Sequence, residues 1–80
     1  MTDQIRFDRL RRICSARLKQ FITEAHQTER RMQNLGLPAG VREFQQFTTQ
    51  RGAEYDACHE YLLAYSQLAD FLQQQLQSIQ

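Results

Sequence analysis

Eighty residues, 41% apolar and 24% charged with a formal net charge of +1, make one small globular domain and exclude both a disordered chain and a membrane-spanning one. No apolar run approaches the roughly 20 residues that a spanning helix needs, and the polar opening Met1-Thr2-Asp3-Gln4-Ile5 lacks the form of a secretory signal. The expected location is therefore cytoplasmic, with Cys14 and Cys58 reduced. A chain of this length is near the size at which a single core barely suffices unless disulfides, metals or oligomerisation help.

The charge is unevenly placed. Residues 1–31 carry eight basic and four acidic side chains, a net of +4, and the remainder carries two arginines against five acids, a net of −3. Such an asymmetry suits either attraction between two helices or a basic face turned to an anionic partner.

From Asp3, a candidate N-cap, to about Leu35, the apolar residues Phe7, Leu10, Cys14, Leu18, Phe21, Ala25, Met32 and Leu35 recur in helical steps, with Ile5, Ile13 and Ile22 beside the stripe. This predicts one long amphipathic helix. Asn34-Leu35-Gly36-Leu37-Pro38 is the stop signal, with Gly36 expected in the left-handed cap conformation and Pro38 in the first turn of the next element.

A second helix is expected to begin near Pro38 to Val41, to place Val41, Phe44, Phe47 and Thr48 on its inner side, and to run to about Ser78. Gly52 is the one doubtful point in that helix, because a mid-helix glycine costs about 1 kcal/mol relative to alanine; with no proline or turn cluster beside it, a continuous or kinked helix is expected rather than a break into 38–50 and 53–79. Beyond it Tyr55, Cys58, Leu62, Tyr65, Ala69, Leu72, Leu76 and Ile79 form an apolar seam at heptad spacing. Tyr61, Leu63, Ala64, Leu68 and Phe71 lie off that seam, so this helix needs cover on more than one side.

The predicted fold is thus all-α: an antiparallel helical hairpin spanning residues 1–80, completing a four-helix bundle on dimerisation. A link of two or three residues would set Leu18 near Tyr55, Cys14 near Cys58, Leu10 near Leu62 or Tyr65, and Phe7 near Leu68 or Ala69. The second helix would then overshoot the first by roughly ten residues, leaving Phe71, Leu72, Leu76 and Ile79 uncovered. Tyr61, Leu68, Phe71, Leu72, Leu76 and Ile79 are accordingly the expected protein interface, with a second copy or another helical protein as partner.

Little else in the chain carries chemistry. Cys14 and Cys58 read as small thiols filling a core layer; with His59 they offer three soft ligands, but without the close pairing that metal sites use. No nucleophilic or paired-carboxylate constellation can be assembled, so neither catalysis, cofactor, metal nor small-molecule substrate is expected. Arg6, Arg9, Arg11, Arg12, Arg17 and Lys19 form a basic cluster that could contact phosphates, which makes a small dimeric nucleic-acid-binding regulator the alternative.

Arg9-Leu10-Arg11-Arg12-Ile13, and Gln45-Gln46 followed by Arg51-Gly52-Ala53, resemble fragments of the small all-helical metal- or formaldehyde-sensing repressors of the copper-sensor type. The position matching that family's sensing cysteine lies near Val41, so no ligand carries over. In size and outline the chain also looks like helical-hairpin co-chaperones of type III secretion. The functional expectation is a non-catalytic helical interaction or assembly module, of adaptor, co-chaperone or small-regulator type, acting through its second helix.

Overall fold

The computed structural model describes residues 2–79, with side chains at the C-terminal end through Ser78. Two helices, α1 (Thr2–Gln33) and α2 (Val41–Ile79), pack against each other as an antiparallel hairpin 61 Å long and 18 × 14 Å across. The length matches 39 residues rising about 1.5 Å each.

Local sequence accounts for both helices and corrects several expectations at their ends. α1 already includes Thr2, so Asp3 lies inside the first turn, where its charge favours the positive end of the helix dipole. The helix stops at Gln33, closed by Asn34 N–H donating to the Arg30 carbonyl (3.2 Å) and Leu35 N–H to that of Met32 (3.2 Å). Gly36 does not adopt the left-handed conformation expected of it; no glycine among the described residues has positive φ. The connection is the seven residues Asn34–Gly40 rather than two or three, and α2 begins at Val41. Gly40 precedes it: Phe44 N–H donates to its carbonyl (3.0 Å), and the Glu43 carboxylate fills the space a side chain at position 40 would occupy. α2 then runs unbroken through Gly52.

The helices meet along a seam that differs from the one hydrophobicity alone selects. On α2 the covered positions run Phe47, Gln50, Glu54, Ala57, Tyr61, Ala64, Leu68, Phe71 and Gln75 in alternating steps of three and four, with the small Cys58 and Ala69 half-buried beside them. On α1 they include Phe7, Leu10, Cys14, Phe21, Glu24, Ala25 and Thr28. Alanines 57 and 64 and Cys14 are small enough to let the helix axes approach closely, and the aromatic residues fill the layers between them. Val41, Phe44 and Thr48, expected inside, lie exposed, as do Leu18 and Met32.

Register differs too. Phe7 stacks on Phe71 (ring centroids 6.3 Å apart, planes 18° apart), two to three residues beyond the expected Leu68 or Ala69, and Phe21 stacks on Tyr61 (6.4 Å, 10°). The longer connection permits this slide. It removes the expected overshoot at the open end, where Asp3, Gln4 and Phe7 lie beside Phe71, Leu72 and Gln75. Phe71 is therefore covered within the chain, and the first residues of α2 extend past α1 at the loop end instead.

Between the loop and the middle of the hairpin the seam is polar. The Gln50 amide donates to the Glu24 carbonyl (3.0 Å) and to its carboxylate (2.8 Å), and Gln20 donates to the other carboxylate oxygen (3.1 Å). Thr28, buried here, donates its hydroxyl to the same Glu24 carbonyl (3.1 Å). Among the described residues no buried side-chain nitrogen or oxygen lacks a partner.

Candidate functional site

A two-helix hairpin can cover one stripe of each helix, and α2 carries two. The second stripe, Tyr55, Cys58, Leu62, Tyr65, Ala69, Leu72 and Leu76, is offset from the inner seam by one residue at every step, so it lies about 100° further round the helix. Its large members face solvent: Tyr55 is 71% exposed and Leu76 65%, with Leu62, Tyr65 and Leu72 also open. What the sequence presents as the organising seam is thus the outer face of the folded chain.

α1 contributes to the same face. Its positions one residue past the inner seam include Leu18, Ile22 and Met32, all three exposed. In an antiparallel pair, flanks on the C-terminal side of the seam in both helices fall on one side of the hairpin, and the grooves beside the Phe7–Phe71 stack agree: Gln4 and Leu72 line one, and Arg6, Gln67 and Gln74 line another. One broad side is therefore apolar, built from both helices over the middle and loop end and from α2 alone toward the open end.

The predicted interface residues divide between the two stripes. Leu72 and Leu76 lie on the outer face, whereas Tyr61, Leu68 and Phe71 belong to the intrachain seam, with Phe71 only 4% exposed. Ile79 ends α2, and its side chain lies outside the described residues. Tyr61 joins the two stripes, stacking inward on Phe21 and packing against Tyr65 at a tilt of 50° with centroids 6.3 Å apart. The contribution of Leu18, Ile22 and Met32 is easily missed in the sequence because steps of three and four also connect them to the inner stripe.

The basic cluster does not form one surface. Arg6 and Arg11 flank the aromatic stack, with the Arg6 guanidinium 5.3 Å from the Phe71 ring centre and that of Arg11 5.5 Å from Phe7. Arg11 also pairs with Asp8 (3.4 Å), and Arg12 Nε donates to the Asp8 carbonyl (3.3 Å). Arg9, Arg12 and Lys19 point outward from α1, and Arg17 lies exposed at the edge of the seam.

Cys14 and Cys58 are free thiols, the first buried and the second half-buried. The observed register carries Cys14 past Cys58 toward the Ala64 level, so the expected shared layer does not form. Among the described residues no three His, Cys, Asp or Glu side chains converge as a metal site would require, and no helix is long and apolar enough to cross a membrane. Compared with protein families, curated proteins and solved structures, the chain finds no match.

Proposed function

We propose that this protein is a non-catalytic association module whose working surface is the outer apolar side of the hairpin, and that it acts by packing that side against other helices. One observation supports the reading above the rest: Tyr55, Leu62, Tyr65, Leu72 and Leu76 repeat at coiled-coil spacing on a face that its own chain leaves open. Each large side chain of this kind contributes about 1.5–3 kcal/mol when fully removed from water, and roughly half of that remains to be gained at positions already partly shielded. Adaptors, co-chaperones and small assembly factors all use such a face, and the basic residues of α1 would tune the approach of a partner rather than form the contact.

Purified protein and the double variant Leu62→Asp/Leu72→Asp test this together. The parent should either run above its 9.5 kDa mass by light scattering or be retained on a phenyl matrix, and the variant should lose whichever property is seen while keeping its helical circular dichroism. A monomeric parent that elutes from the phenyl matrix with the variant overturns the proposal.

A further inference from the structure

The outer face admits a more definite assignment, which rests on the association reading above: we infer that its occupant is a second copy of this chain, docked antiparallel about a two-fold axis passing near Tyr65. Surface area supports a copy of the chain as occupant. A compact monomer of 9.5 kDa exposes about 5,000 Å² by the usual scaling, whereas this hairpin exposes 6632 Å², an excess of roughly 1,600 Å². That is about twice the ~800 Å² that each partner gives to a standard interface, so a stable dimer can form from surface that a single hairpin leaves in excess. Among the described residues no large side chain is fully buried, which is the condition of half a bundle rather than a finished core.

The pattern on α2 sets the axis. Tyr65 is the central member of Tyr55, Cys58, Leu62, Tyr65, Ala69, Leu72 and Leu76, so an antiparallel copy places Tyr55 against Leu76, Cys58 against Leu72 and Leu62 against Ala69, apolar against apolar at every level. Side-chain size selects this direction over the parallel one. A parallel two-fold sets every member of the stripe against itself, Leu62 on Leu62 and Leu72 on Leu72 but also Ala69 on Ala69 and Cys58 on Cys58, so crowded layers alternate with gaps. The antiparallel one sets Ala69 against Leu62 and Cys58 against Leu72, small against large.

Single-cysteine variants read the arrangement directly. In a Cys14→Ala/Cys58→Ala background, mild oxidation should cross-link Tyr65→Cys to itself. Tyr55→Cys and Leu76→Cys alone should stay largely uncross-linked and form a mixed dimer when combined. A Leu62→Cys and Ala69→Cys mixture provides the same readout should a variant at position 55 or 76 fail to fold. Self-cross-linking at 55, 65 and 76 alike means parallel docking and overturns the inference while leaving the association module standing. A parent that stays at 9.5 kDa and binds the phenyl matrix likewise overturns only the second copy, and one that stays at 9.5 kDa without binding the matrix overturns both.

Discussion

The ring of Phe7 lies stacked on that of Phe71 with centroids 6.3 Å apart, and this pair sets the register of the hairpin at its open end. Arg6 caps Phe71 and Arg11 caps Phe7, so the last intrachain layer is closed by two guanidinium groups as well as by apolar contact. Phe71 and Leu72 are consecutive in sequence yet face different surroundings, the first 4% exposed within the chain and the second 43% exposed on the outer side.

That contrast gives the first prediction. Phe71→Ala should destabilise the fold by about 3 kcal/mol, the lower end of the range for a buried phenylalanine, and by the same amount at every protein concentration. Leu72→Ala should leave the stability of the isolated hairpin nearly unchanged and instead reduce the concentration dependence of Tm. Urea and thermal unfolding followed by circular dichroism over a hundredfold range of concentration separate the two. Equal, concentration-independent losses would show that both residues serve only the intrachain core.

The polar layer makes a second. Gln50 donates to both the backbone and the carboxylate of Glu24 across the helix pair. Gln50→Ala should cost about 1–2 kcal/mol, because a hydrogen bond to a charged group is lost in a part-buried site. In a double-mutant cycle with Glu24→Ala the coupling should exceed about 0.5 kcal/mol. Additive losses would mean that the two side chains stabilise the hairpin independently.

Much of this fold is legible from residue spacing: two long helices, their antiparallel pairing and the continuity of the second through a lone glycine come from steps of three and four with few breakers. The choice of seam is not. The stripes that pass through Glu54 and through Tyr55 both obey heptad spacing one residue apart, and the outer one is the more apolar, since Gln50, Glu54 and Gln75 belong to the inner. Hydrophobicity therefore selects the wrong stripe for the intrachain contact. The decision lies in pair relationships that composition does not display: alanines that permit close approach, Phe7 meeting Phe71, and Glu24 meeting Gln50. The seven-residue connection similarly hides the register, because neither its length nor the ordinary backbone of Gly36 can be deduced from the Gly-Leu-Pro signal.

The arginines give a third prediction. Arg6→Gln and Arg11→Gln should each destabilise the hairpin by about 0.5–1 kcal/mol through loss of the ring contact, with weak sensitivity to salt at Arg6 and somewhat more at Arg11, which also loses its pair with Asp8. Arg9→Gln, at an outward position, should change stability by less than about 0.5 kcal/mol. Thermal melts in low and high salt check this. Equal effects at all three positions would reassign the cluster to a general electrostatic role.

Gly52 lies in the interior of α2, and a β-carbon added there meets nothing within 4 Å, in contrast to Gly40, where it meets the Glu43 carboxylate. Gly52→Ala should therefore remove conformational freedom from the unfolded chain without a steric cost in the folded one, raising stability by about 0.5–1 kcal/mol. For a domain of this size that corresponds to a rise in Tm of roughly 4–8 °C per kcal/mol gained. Gly40→Ala should gain less or lose stability, because Glu43 must first vacate its position. Melting temperatures of the two variants beside the parent decide the matter: a lower Tm for Gly52→Ala would mean that α2 bends or opens at this point in solution, and the continuous helix that carries the outer face from Tyr55 to Leu76 would have to be redrawn.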